Sequence, residues 1–519
     1  MRTHSPSDSS SDTTAPDDLD WSSLPSKASL LYAQVLQSQT LVDGTVDAAE
    51  LTTLDEVAEQ LGLDRRTCKQ LHDELADADV NGDRVRTRES PVELARQLYE
   101  ALAEDQRELV FTALVRDLAR LSLTTEEAAT SDEREQIVSI ATLAFPDSAE
   151  DVVREAELPI IADKSAVREA MDSLRTFVAK LRPEDITSGN WFTDLLSQAV
   201  TVYTQKVDWK YFQDKYPGMP ADAVVDQRIK MAMRYAAIEG GLSAGAYTGT
   251  VAATIGSLGG ASPATVPAAV ATIMTDVAYT TQLQLKLAWD IAVLYRVPLD
   301  MTDPDDLWKL IRVAFTIKAG EAGREAVAKA VPIVVRPLVK KLFSGGVLTA
   351  AKALPVVGKY LLQRTIIKVA IPGVGIPLAV LMNRLTTQLA GSHARSVFRD
   401  EARLVELADT LVGRTRHPHL LPWAAWLVVS ADGKATDDET TLMRHLLRLL
   451  DKRYAVHEEA LAKVIELDPD DVWRRVDAET DDLSDLLKAA RMIAEADGSA
   501  TKREEAVIEQ LAARCDTAN

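Results

Sequence analysis

The residues most able to do chemistry are carboxylates that recur at one spacing. ADGKATDDE, residues 431–439, carries Asp432 and Glu439; ADGSATKRE, residues 496–504, repeats them as Asp497 and Glu504; VDGTVDAAE, residues 42–50, places Asp43 and Glu50 alike. Asp-Gly followed after five residues by Glu is the back half of an EF-hand, where such oxygens hold calcium. The front half is a poor match, because loop positions one and three fall on Val428 and Ser430, Ile493 and Glu495, and Gln39 and Leu41. A single loop therefore falls short of the six to eight oxygens that calcium takes. A weaker calcium or magnesium site shared by Asp432, Glu439, Asp497 and Glu504 stays open, with Asp43 and Glu50 as the matching candidates near the N-terminus.

The elements that must position these groups are helices. WAAWLVVSA and TLMRHLLRLL flank the first turn, and LSDLLKAARMIAEA and AVIEQLAARC the second, all apolar at helical spacing. Gly433 and Gly498 then fall where a helix stops in a left-handed residue. Thr436 to Glu439 and Thr501 to Glu504 both read S/T-x-x-E, a capping box that satisfies the free amides of a helix start. Asp47 and Glu50 repeat this grammar, and EEAATSDE is a worn copy in which Glu126 and Glu127 replace Asp-Gly while Thr130 and Glu133 keep the box. Capping accounts for every one of these residues without an ion. Four turns in two pairs predict two related helical modules around a different middle.

The paired A-D-G-x-A-T-x-x-E turns resemble the TerB-like domain of tellurite resistance, over about Pro418 to Cys515, with a more divergent copy over about Ser29 to Pro146. The resemblance implies compact helical bundles with acidic surfaces, linked to stress responses and to complexes at the inner face of the membrane. It implies no catalytic activity.

Other chemistry is thinly represented. His417 and His419 in RHPHLLPW straddle a proline, so their rings have no regular helical relationship. Cys68 and Cys515 lack CxxC or Cys/His spacing and read as reduced structural thiols. No Walker A loop, G-x-S-x-G elbow or dinucleotide fingerprint occurs, and no small-molecule substrate is evident. A hydrolase would have to draw on the carboxylates of ELDPDDVWRRVDAETDDLSD, Glu466 to Asp485, a run that also reads as a solvated loop and helix start. No catalytic residue and no cofactor beyond the divalent cation are assigned.

With 519 residues, 46% of them hydrophobic and only 5% aromatic, the composition favours several all-α domains. The expected layout is a Ser- and Asp-rich disordered tail at 1–27, a helical module at 28–150, a larger helical domain at 160–404 and a second module at 405–519. The opening residues have no apolar block of the kind a signal peptide needs, so a cytoplasmic location is expected.

The middle inverts the charge of a chain whose net charge is −21. From Ala326 to Arg399 there is no Asp or Glu, while Arg336, Lys340, Lys341, Lys352, Lys359, Arg364 and Lys368 lie among Val, Ile and Leu, followed by Arg384, Arg395 and Arg399. Such basic amphipathic segments suit an anionic bilayer surface. Two other readings are pairing of these cations with acids of the same chain, and contact with nucleic acid, which the overall negative charge opposes. Upstream, Gly241, Gly245, Gly249 and Ala253 form a small-residue ridge in a stretch without charge from Gly240 to Thr275. It permits close helix packing, and full insertion into the bilayer is the alternative. In VDWKYFQDKYPGMP, Trp209, Tyr211, Phe212 and Tyr216 are expected to anchor a helix, with a headgroup interface as the second reading.

EGGLSAGAYTG, DVAYTTQLQLKLAWDIAVLYRVPLD and IPGVGIPLAVLMNRLTTQLAGSHARSVFRDEARL resemble the EcsC family, over roughly Tyr203 to Leu404. That resemblance implies association with membranes and with transporter or stress-response proteins, and no defined reaction. The sequence thus predicts a non-enzymatic adaptor peripheral to the inner face of the cell membrane. A pore-like or transporter-associated protein and a hydrolase are the alternatives.

Overall fold

The computed structural model describes residues 20–41, 48–80, 89–124, 131–256, 265–316, 354–355, 357–359, 361, 375–431, 436–456, 469–496, 498 and 500–517. Every regular element among them is helical, as the composition predicts. The chain divides into two compact units, each gathered from three stretches: Met1–Leu195, Ile229–Leu283 and Val357–Gln388 in the first, and Leu196–Arg228, Gln284–Val356 and Leu389–Asn519 in the second.

In the first unit the Ser26–Gln39 helix shows why the pattern folds. Ala28, Leu31, Tyr32, Val35 and Leu36 recur three and four residues apart, lie on one side and are buried. Helices Ala48–Gln60, Arg65–Val80, Pro91–Ala101 and Glu104–Thr124 pack against it, and Ser131–Ala144 and Ala149–Val178 pack against Glu104–Thr124. Trp21 meets Tyr32 edge-on at 5.5 Å between ring centres, and Asp20 caps the short turn that carries it. The stretch expected to be a tail therefore joins the fold by Asp20, because its one large aromatic finds a partner.

The second unit contains a helix with no solvent face. Leu421–Ser430 is buried at every position from Leu421 to Val429. A helix that is apolar all round must be surrounded, and Asp437–Tyr454, Pro469–Asp477, Ser484–Ala494 and Lys502–Thr517 all pack on it. Their inward residues, among them Leu442, Leu446, Leu450, Val472, Leu486, Ile493 and Leu511, join Trp423 and Trp426 in one core.

Both C-terminal capping boxes form. The Thr436 amide donates to Glu439 Oε2 at 2.7 Å, and the Glu439 amide donates to Thr436 Oγ1 at 3.2 Å. In the second, the Thr501 amide donates to Glu504 Oε2 at 2.6 Å and the Glu504 amide to Thr501 Oγ1 at 3.3 Å. Gly498 has a φ of +136°, with nothing within 4 Å of a Cβ placed there, so backbone angle and not crowding calls for glycine. Thr436→Ala and Thr501→Ala should each lower stability by about 1 kcal/mol, while the Ser variants keep most of it, as read from urea midpoints.

Candidate functional site

The carboxylates singled out by the repeated turns are partly located. Glu439 and Glu504 are buried, and each carboxylate is bonded within its own turn. Glu50 lies in the Ala48–Gln60 helix. Asp432, Asp497 and Asp43 lie outside the described residues.

Of the cations expected at a membrane, Lys359 is exposed, and Arg336, Lys340, Lys341, Lys352, Arg364 and Lys368 lie outside the described residues. The end of the acid-free run pairs internally. Within the first unit Arg384 meets Glu56. Within the second, Arg395 lies 2.6 Å from Asp226 and 3.5 Å from Asp222, and Arg399 lies 3.5 Å from Asp222. Among the described residues, no helix is long and apolar enough to cross a membrane.

The aromatic cluster divides as its chemistry suggests. Phe212 and Tyr216 are buried, which is the anchoring role. Trp209 is half-buried, and the Arg296 guanidinium lies over its ring at 4.3 Å. Arg296 ends the Thr265–Leu294 helix region with a φ of 57°, the left-handed conformation that usually falls to glycine. Its amide donates to Val293 O at 2.9 Å, and the Val297 amide to Ala292 O at 2.9 Å. An open cleft of about 450 Å³ lies here, lined by Val207, Trp209, Trp289, Val293, Arg296 and Leu299 among others. Asp208 also lines it, so its one cation, Arg296, shares the cleft with a carboxylate.

Next to the cleft residue Trp289 in the chain stands Asp290, part of an ion pair that sequence reading missed. Asp290 is 1% exposed; Arg228 donates to its Oδ2 through Nη2 at 2.6 Å and through Nε at 3.0 Å, and the Tyr203 hydroxyl donates to Oδ1 at 2.8 Å. Burial works against the Arg228 charge, but Asp290 outweighs it and holds the guanidinium well above its ordinary value. Burial likewise pushes the Asp290 carboxyl up. A neutral Asp290 would leave the buried guanidinium without its counter-charge, so the ionised pair is the state we assign. One signal was present in the sequence: Asp290 is the lone charge in LAWDIAVL.

A second buried carboxylate, Glu401, ties three helices of this unit. Lys309 lies 2.5 Å from it and His445 2.9 Å. Arg448 joins Asp306 at 2.9 Å and also Asp303, the residue that caps Pro304–Ala314. Compared with family models, curated proteins and solved structures, the chain gives no match to any of the three.

Two outcomes follow from these buried carboxylates. Asp290→Ala removes the carboxylate that balances the Arg228 charge and should cost about 3–5 kcal/mol, whereas Arg228→Met combined with Asp290→Leu should recover most of that, as read from denaturant midpoints. For Glu401, burial raises the carboxyl, but the His445 ring and Lys309 hold it below its ordinary value of 4.5. Its folded value being the lower one, its contribution is complete above about pH 4.5 and disappears as pH falls through the folded value. The stability gap between the native chain and Glu401→Gln should therefore shrink from pH 6 towards about pH 3.

Proposed function

We propose that the protein is a non-enzymatic helical adaptor that meets an anionic membrane surface through its acid-free middle segment and engages protein partners through its flanking modules. On this reading the end modules are TerB-like, the middle is EcsC-like, and the protein works at the inner face of the cell membrane in stress responses. The carboxylates of the repeated turns add a candidate response to calcium or magnesium.

One observation carries the reading: a run of more than seventy residues, 326–399, holds Lys and Arg among branched aliphatics and no acid at all, in a chain with net charge −21. Arg384, Arg395 and Arg399, at its end, are matched to Glu56, Asp222 and Asp226. The cations from Arg336 to Lys368 precede those pairs and are the ones assigned to lipid. Each cation near an anionic surface contributes about 1 kcal/mol, so removing several should abolish binding.

The variant Lys340→Glu, Lys341→Glu, Lys352→Glu and Lys359→Glu should lose co-sedimentation with phosphatidylserine vesicles, and salt should weaken binding of the native chain. Unchanged co-sedimentation of the variant would reject the lipid role and favour internal pairing. Retention of the native chain on membranes after both carbonate and high salt would instead favour an inserted protein.

A further inference from the structure

Two short runs that carried no role by themselves come together in the second unit. His417, just before the buried Leu421–Ser430 helix, meets the loop between Pro469–Asp477 and Ser484–Ala494. A ring nitrogen of His417 and carboxylate oxygens of Glu479 and Asp481 lie within 4.8 Å of one another.

The imidazole is fixed before any ligand arrives. His417 is 4% exposed, and its Nδ1 lies 3.0 Å and 3.2 Å from the two oxygens of Asp485. Asp485 is itself held by the Arg416 amide at 2.6 Å and by the Thr415 hydroxyl at 3.1 Å. With a backbone amide and a hydroxyl already donating to its carboxylate, Asp485 is the acceptor for His417 Nδ1–H. Nε2 is then left with its lone pair, and among the described residues no protein group hydrogen-bonds to it. A carboxylate that sets the tautomer through one nitrogen while the other faces ligands is the arrangement metal-binding histidines use.

The remaining groups match. Glu479 is half-buried, with one oxygen accepting from the Thr480 amide at 3.1 Å, and Asp481 is exposed. His419 brings its Nε2 to 3.5 Å from Glu479 and, from outside the three that lie within 4.8 Å of one another, is the fourth candidate. The neighbouring Asp482 is committed elsewhere, accepting from Arg416 at 2.8 Å and from the Ser484 hydroxyl at 2.9 Å.

We propose that His417 Nε2, Glu479 and Asp481, with His419 completing the set, form a binding site for a first-row transition ion of the zinc class. Imidazole nitrogen with carboxylate oxygen suits zinc, cobalt or nickel, whereas calcium and magnesium take oxygen alone. The site is distinct from the repeated turns and independent of the lipid reading. Bound metal would clamp the entry of the buried helix to the loop before Ser484.

The test is calorimetric titration of the full chain, freed of metal with a chelator, with zinc chloride, and parallel titration with cobalt(II) followed by its visible absorption. One equivalent should bind. Glu479→Gln combined with Asp481→Asn, both at positions not fully buried, should weaken zinc at least tenfold with an unchanged circular dichroism spectrum, and His419→Gln should weaken it less. Asp432→Ala combined with Asp497→Ala should bind zinc as the native chain does. Absence of a one-equivalent event, or native affinity in the Glu479/Asp481 variant, would overturn the assignment. Loss confined to the Asp432/Asp497 variant would also overturn it and place the ion in the turns.

Discussion

The C-terminal helices rest on one constraint: the Leu421–Ser430 helix has no polar face to give to water. Each of its side chains from Leu421 to Val429 must be covered, and the four helices packed on it are the cover. A chain can surround a ten-residue helix with its own neighbours only by turning back sharply after each one. The capping boxes at Thr436 and Thr501 make those returns possible, because they satisfy amide groups that would otherwise be left unpaired beside an apolar core. Glu439 and Glu504, two of the metal-like letters of the repeated turn, thus serve the enclosure.

The same constraint explains where polar groups survive inside. Asp290 and Glu401 are both nearly sealed from water, and each is surrounded by donors: Arg228 and Tyr203 for the first, Lys309 and His445 for the second. Buried charge is tolerated where it is paired and hydrogen-bonded. Removing either partner, or shifting a helix past the other, would strand a buried charge. In an all-helical protein with few aromatics, whose cores are built from interchangeable Leu, Val and Ala, that is a physical reason to retain them.

Charge elsewhere is used locally. The arginines that end the acid-free segment are matched to Asp222, Asp226 and Glu56, so a strongly basic stretch of sequence need not be a basic surface. The cluster around His417 differs, because two carboxylates and a second histidine gather beside a buried ring whose orientation is already set by Asp485. Like charges repel at such separations, and a cation between them relieves the repulsion.

What the sequence determined by itself was local. Helical periodicity, the cap at Thr436 and the cap at Thr501 were legible because each depends on residues three or four apart, a distance over which the backbone fixes the geometry. The anchoring of Phe212 and Tyr216 was legible for a related reason: large aromatics four residues apart share one side of a short helix and find the core. Tertiary structure alone decided the pairing of Arg228 with Asp290, 62 residues away, and of His417 with Asp485, 68 residues away. No spacing rule reaches so far. His417 and His419 looked unrelated and the run to Asp485 looked solvated, because packing against the buried helix, and not sequence proximity, brings a ring and its carboxylates to one place.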